Sequence, residues 1–434
     1  MVKKQTNETS GISTESYKGV RDFYPEDMRV QKYIFEKMRE VTESFGYEEY
    51  NASILEPAEL YEAKSGEEIV NEQTYTFTDR GGRKVTLRPE MTPTVARMIA
   101  SRSKSMALPA RWYAIPNLFR YEQPQKGRLR EHFQLNVDIF GTEGVEADIE
   151  IISLASTLMS SFGAKNSDYV IKVNNRKVVE ALYKHYGVSE EDSYKLSKLI
   201  DKKNKISPET FDKGIELILK EKSAEFKAVL SSNKEIIQTV GETHEGVIEL
   251  AKVVESLNAL GISNVIFDQT LMRGFDYYTG IIFEIFDTNP DNMRSLFGGG
   301  RFDDLTTLFG GKKIPAVGFG AGDVTLKDFL ELHNLLPVFN TRAHVYIARP
   351  DKTPVLEAMK IASLLRKEGL ETIVELEDKK IGDQIKRAEK AGVSHVLFVG
   401  EEEIKTQIFS LKNLSSKEEV KKTLSEIKEY ILSK

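Results

Sequence analysis

In the first third of the chain, strand-like runs follow one another with little but turns between them. This ordering constrains the fold more than any other feature of the sequence. Residues 73–78 and 83–87 flank Asp79-Arg80-Gly81-Gly82, a hairpin signal. Residues 111–121 and 132–141 flank Gln123-Pro124-Gln125-Lys126-Gly127-Arg128. A further strand is expected over 50–56 and a helix near 91–103. An earlier helix over 28–45 carries Ile34, Met38 and Val41 at i, i+4, i+7 and is stopped by Gly46. Consecutive, antiparallel-looking strands without strict strand–helix alternation favour an α+β domain over a Rossmann-type sheet.

The pattern changes twice. Residues 189–260 lack strand signals. Ser189 with Asp192 makes a capping-box-like start, Ser207-Pro208 a cap with proline first, and Phe211, Ile215, Ile218 and Leu219 share a face. This is a helical insertion in a domain spanning 18–335, which resumes at Val265-Ile266-Phe267 behind a polar tail over 1–17. From 343 to 434, strands 345–348, 372–375 and 396–399 alternate with helices, the first started by Thr353-Pro354 and carrying Val355, Met359, Ala362 and Leu365. That alternation reads as a small parallel α/β domain.

Composition removes several kinds of chemistry. A chain of 434 residues has room for two to four domains at roughly 150 residues each. It contains no Cys, so thiolate nucleophiles, disulfides and Cys-ligated metals are out. The histidines (His132, His185, His244, His333, His344, His395) are too scattered for a metal-ligand run. No stretch is apolar enough to span a membrane, and the N-terminus has no apolar signal core, so a cytosolic protein is expected. A net charge of −6 is not that of a general DNA binder, and no DNA partner is expected. Residues 343–434 hold 17 Lys and Arg against 16 Asp and Glu, so any RNA-binding face there must be a local arrangement. Neither a G-x-x-x-x-G-K-S/T phosphate loop nor a helix-opening G-x-G-x-x-G is present.

Three stretches carry candidate chemistry. Between Arg120 and Arg130, four basic residues (Arg120, Lys126, Arg128, Arg130) fall within eleven positions on a strand–loop–strand unit. They could converge on a polyphosphate, which suits arginine's planar fork, or lie on a solvated hairpin tip. Arg273-Gly274-Phe275-Asp276-Tyr277-Tyr278-Thr279-Gly280 sets polar and aromatic groups between core-strand flanks. Such groups need partners, from a small polar ligand or from an internal hydrogen-bond network. Gly298-Gly299-Gly300-Arg301 and Gly318-Phe319-Gly320-Ala321-Gly322 allow close backbone approach, or simply tight turns.

Together these stretches resemble the class II aminoacyl-tRNA synthetases, and within them the histidyl-tRNA synthetases. Arg120-Tyr121-Glu122 with the loop to Gln134 is similar to motif 2 in its histidyl form. Met272 to Gly280 is similar to the histidine-specific element, Gly298 to Asp303 to the GGGRYD element, and Ala316 to Gly322 to the start of motif 3. Leu87-Arg88-Pro89-Glu90-Met91-Thr92 and Lys18-Gly19-Val20-Arg21-Asp22 match further family elements.

The resemblance implies an α+β catalytic domain on an antiparallel sheet with a helical insertion, plus a C-terminal α/β anticodon-binding domain. It implies L-histidine, ATP with Mg²⁺, and tRNA(His) as ligands, and a homodimer formed through the N-terminal helix and strand. Arg120 would bind the α-phosphate and the histidine carboxylate, Glu122 the adenine end, and Arg128 and Arg130 the outer phosphates. Glu90, Met91, Thr92 and Gln134 would hold the amino and carboxylate groups. Asp138 and Tyr278 would face the imidazole with Tyr277 beside them, and Arg273 would sit across the α-phosphate. Protein ligands for a metal are not implied. Four positions depart from the pattern: Ser53 for a motif 1 proline, His132-Phe133-Gln134 for Phe-His/Tyr-Gln, Phe302 for the tyrosine of GGGRYD, and Thr325 for the motif 3 arginine. A regulatory paralogue without catalysis and a sister synthetase for another amino acid are the competing expectations.

Overall fold

Proline and glycine mark the two ends of the first helix. It runs Pro25–Ser44, with Pro25 where a missing N–H costs nothing and Gly46 just past the end at φ +81°. Ile34, Met38 and Val41 lie on its buried face. The computed structural model describes residues 12–62, 73–125, 127–203, 206–272, 277–292, 294–339, 341, 343–350 and 353–432. The chain divides into two compact units, Met1–Leu336 and Pro337–Lys434. No helix among the described residues is long and apolar enough to cross a membrane.

The first unit contains β1 (Glu48–Glu49), β2 (Leu55–Pro57), β3 (Tyr75–Thr78), β4 (Lys84–Leu87), β5 (Ala110–Ala114), β6 (Asn117–Phe119), β7 (Glu131–Phe140), β8 (Tyr169–Asn175), β9 (Val265–Phe267), β10 (Ile281–Asp287), β11 (Ser295–Arg301) and β12 (Ala316–Gly322). Its main sheet has the order β1-β5-β7-β12-β11-β10-β8-β9, with β6 also on β7. From β5 to β8 every neighbouring pair is antiparallel, and only the edge strands β1 and β9 join in parallel. A small antiparallel sheet, β2-β4-β3, stands apart.

Two strands expected as single runs are broken. Of residues 50–56 only Leu55 and Glu56 are strand, in β2; residues 50–54 connect β1 and β2, which belong to different sheets, and the Ala52 carbonyl there accepts from Arg88 Nη1 at 2.8 Å. Residues 111–121 divide into β5 and β6 at Ile115-Pro116, because proline has no N–H for a ladder.

One face of the main sheet is covered by the helices Pro25–Ser44, Glu146–Ser161, Glu245–Ala259 and Asp323–Leu332. They pack on Leu135, Val137, Ile139, Phe283, Val317 and Phe319. Toward the other face, the helix Thr92–Arg102 places Val95, Ala96 and Ile99 with Phe140, Ile282, Phe302 and the rings of Tyr277 and Tyr278. The helical insertion begins at Arg176, earlier than residue 189, because Asn175 at the end of β8 directly caps the helix Arg176–Tyr186. The insertion has its own core of Val178, Leu182, Leu196, Ile215, Phe226 and Ile236. Ser189 and Ser207 cap helices there as expected, each accepting from a backbone N–H three residues on. The helix Glu245–Ala259 serves both cores, through Val247 on one side and Leu250, Val253 and Leu257 on the other.

The second unit holds β13 (Val345–Ala348), β14 (Thr372–Val374), β15 (His395–Phe398), β16 (Phe409–Asn413) and β17 (Glu419–Lys422), in the order β14-β13-β15-β16-β17. The first three pair in parallel, as the alternation predicts, whereas β16 and β17 add antiparallel, so the sheet is mixed. Its first helix, Val355–Lys367, buries Ala358, Ile361, Ala362 and Leu365, leaving Met359 41% exposed instead of in the expected stripe.

Candidate active site

The open face of the main sheet is built around β7 and β12. Side chains alternate along a strand, so Leu135, Val137 and Ile139 enter the helix-covered core while Gln134, Asn136 and Asp138 point the other way. Across the ladder, Asp138 pairs with Gly318, Asn136 with Gly320 and Gln134 with Gly322. A Cβ on Gly318 would overlap Asp138 Oδ1, and one on Gly320 would stand 2.8 Å from the Gln134 carboxamide carbon. The polar side chains of β7 therefore lie flat across a floor that only glycine permits. That close approach is the reason for glycine at these two positions of β12.

Asp138 is buried, and desolvation pushes its carboxyl up to about 8. Trp112 of β5 stands opposite it in register, and the Tyr50 ring lies 5.7 Å from that indole. Among the described residues, the buried Tyr50 hydroxyl has no hydrogen-bond partner. Burial, followed by the charge of Asp138, holds that phenol far above its ordinary value. The sequence signals did not single out Tyr50, which lay in an unremarkable strand-like run.

The facing wall comes from the segment before the helix Thr92–Arg102. Tyr277 Oη donates to Glu90 Oε2 at 3.1 Å and lies 3.4 Å from Thr92 Oγ1, and Glu90 is buried. The Tyr277 and Tyr278 rings meet at 5.0 Å. Met91 is fully buried against Ala114 and Leu118, so its side chain supports this wall from behind. Arg120 Nε donates to the Pro89 carbonyl at 2.9 Å, which fixes the guanidinium beside the same wall.

The loop between β6 and β7 presents its arginines differently. Arg128 is exposed, 3.4 Å from Glu122 Oε2. Arg130 is buried: it donates to the Glu122 carbonyl at 3.1 Å and to Tyr17 Oη at 3.2 Å, and stacks on the Tyr121 ring at 4.0 Å. These contacts make Arg130 a strut of the loop, whereas Arg128, among the described residues of the loop, faces outward. His132 is held down to about 3 by burial and by the charges of Arg120 and Arg21, so its ring is neutral at neutral pH. Arg21, from the chain opening, pairs with Asp323 at 2.8 Å, and Asp323 also accepts the Phe133 N–H.

Phe302 is buried and packs edge-on against Phe140 and Tyr277. Arg301 is structural: it binds Asp148 and donates to the Thr142 and Gly144 carbonyls. Arg273, Gly274, Phe275 and Asp276 lie outside the described residues, as does Lys126. Among the described residues, no group of three or more His, Cys, Asp or Glu could cage a metal ion.

An antiparallel sheet with helices on one face, a basic strand–loop–strand and a glycine-floored strand on the other define a class II aminoacyl-tRNA synthetase fold. Comparison with known proteins narrows this. The family model described as "Histidyl-tRNA synthetase" matches residues 19–324, and that described as "Anticodon binding domain" matches residues 344–434. The chain is 45% identical over 424 residues to the histidine–tRNA ligase of Leptospira biflexa, covering 96% of each. It is 37% identical over 427 residues to that of Thermoplasma volcanium, covering 97% of this chain and 99% of the relative. This chain belongs to the histidyl-tRNA synthetase family. In fold it is similar to the crystal structure of histidyl-tRNA synthetase from Nostoc sp., with a TM-score of 0.80 at 24% identity over 98% of this chain and all of that one. A Bacillus halodurans structure titled as an ATP phosphoribosyltransferase regulatory subunit/histidyl-tRNA synthetase matches with a TM-score of 0.73 at 24% identity, over 90% of this chain and 99% of that one.

Proposed function

We propose that the open face between β7, β12 and the Glu90–Thr92 wall is where histidine is activated. The chain is read as a histidine–tRNA ligase. ATP and L-histidine give histidyl-adenylate and pyrophosphate, and the histidyl group then passes to the 3′ end of tRNA(His). The observation that carries this reading is Asp138, a buried carboxyl with its value raised to about 8, lying across Gly318. Imidazole offers one N–H and one bare nitrogen. Asp138 accepts from the first and the Tyr278 hydroxyl donates to the second. A substrate lacking either group leaves a buried polar atom unpaired, which gives discrimination of roughly 10⁴ or more without editing.

Adenylate formation needs no enzyme nucleophile. The substrate carboxylate attacks the α-phosphorus in line, and pyrophosphate leaves with the bonding electrons. The protein holds the two groups together and faces the developing charge with fixed cations. Arg120, anchored on Pro89, sits on one side, and Arg273 is assigned to the other. Glu90, Thr92 and Gln134 orient the amino and carboxylate groups. Glu122 and neutral His132 take the adenine, and Arg128 the outer phosphates. Mg²⁺ would arrive bound to ATP and neutralise those phosphates, which supply most of its ligands. In the second step a terminal ribose hydroxyl attacks the adenylate carbonyl and AMP leaves. Residues 344–434 would contact the anticodon. The enzyme is expected to be a cytosolic homodimer joined through the Pro25–Ser44 helix and the strand after it.

ATP–pyrophosphate exchange with each amino acid in turn tests the reading. Exchange with histidine alone is the expected result. Exchange with another amino acid would overturn the specificity, and none at all would favour the regulatory paralogue, which the full-length ligase relatives leave less supported.

A further inference from the structure

The place of the motif 3 arginine is taken by Thr325, whose hydroxyl is spent on the Leu296 carbonyl at 2.7 Å. It has no charge to give a phosphate. A guanidinium nevertheless reaches the same loop tip that Thr325 approaches, delivered from the β10–β11 connection. Arg294, immediately before β11, is exposed and reaches the loop between β6 and β7, with Nη2 3.4 Å from Gln125 Oε1. A Cβ placed on Gly127 would stand 3.5 Å from Arg294 Nη1, 3.8 Å from Thr325 Cγ2 and 4.0 Å from Asp328 Oδ2. Arg294, Thr325 and Asp328 therefore all come within 4.0 Å of this one position at the loop tip. Arg128 projects from the same loop.

We propose that Arg294 binds the outer phosphates of ATP, doing from the β10–β11 connection what an arginine at position 325 would do from the helix Asp323–Leu332. This rests on the ATP-dependent activation proposed above. A guanidinium keeps its charge at every working pH and meets two phosphate oxygens at once, so one arginine brought from another strand can replace the other. Arginine at 294 and threonine at 325 are then a matched pair. Gly127, the one glycine of the loop, keeps the place beside the guanidinium free of a side chain.

The test compares Arg294→Ala, Arg294→Lys and the double variant Arg294→Ala/Thr325→Arg in histidine-dependent ATP–pyrophosphate exchange. Losing a charge-assisted phosphate contact should lower kcat/KM for ATP by about 10- to 100-fold in Arg294→Ala. The KM for histidine should stay within about 2-fold, which a merely structural role would not give. Lysine should recover part of the loss. Thr325→Arg in the alanine background should recover most of it, since it returns a guanidinium to the same neighbourhood. An active wild type with Arg294→Ala unchanged for ATP, equal losses for both substrates, or no recovery by Thr325→Arg would each overturn the assignment. An inactive wild type would instead overturn the activation reading on which it rests.

Discussion

The two faces of the β7–β12 ladder are made by the same strands and could hardly differ more. Toward the helices, Val137, Ile139, Val317 and Phe319 are shut into a continuous apolar core. Toward the open side, the intervening residues are Asn136, Asp138, Gly318 and Gly320, and no apolar side chain stands between the carboxyl of Asp138 and the backbone of β12. Period-two alternation lets one stretch of chain anchor itself and expose chemistry in the same few residues. The apolar face supplies the rigidity that holds a buried acid in place.

The two faces of this ladder should therefore fail in opposite ways, Phe319 of β12 on one and Asp138 of β7 on the other. Phe319 is buried against Phe283 and Phe297, so Phe319→Ala should cost about 3–5 kcal/mol of stability in urea unfolding. Below its melting point that variant should keep its KM for histidine. Asp138→Ala should spare stability but weaken histidine binding by about 2–4 kcal/mol, with ATP binding little changed, as calorimetry of each ligand would read. Equal losses for both ligands would break the division between the faces.

Gly318→Ala probes the boundary. Its Cβ would overlap Asp138 Oδ1 and crowd the Val137 carbonyl, so a cost of about 1–3 kcal/mol in stability should accompany the loss of histidine binding. A variant that binds histidine normally would show that the floor is wider than it looks.

The effect that is smallest per step is one of pH. The folded-state value of Asp138, about 8, lies above its ordinary 3.8, so between these values the folded protein holds a proton that the unfolded chain has released. Each rise in pH across that window favours unfolding, by at most about 1.4 kcal/mol per unit from this group. Asp148, also raised by burial to about 6, acts in part of the same window, so the comparison must be with Asp138→Asn. Melting temperatures of the ligand-free protein should fall less steeply with pH in that variant.

Much of this architecture was legible in the sequence because its causes are local. Caps at Ser189 and Ser207, the stop at Gly46 and the hairpin at Asp79 to Gly82 depend on residues within one turn of one another. The candidate site was legible as a set of stretches through family resemblance, in residues from Glu90 to Tyr278.

What local signals could not show is where side chains end up once distant strands pair. Arg128 and Arg130 look alike in the loop, yet one is exposed and the other is locked between tyrosines, because Tyr17 arrives from more than a hundred residues away. The antiparallel pair β16 and β17 closes a sheet that began as a parallel one, and nothing in the flanking residues announces it. Tyr50 becomes a buried donor only because β1 lies along β5, and Arg294 becomes a neighbour of Thr325 only because β11 and β12 are paired. The sequence by itself determined the elements, their caps and the glycines that keep the floor flat. Burial, partner and charge state were decided by the tertiary structure, since each depends on contacts between residues that the chain holds far apart.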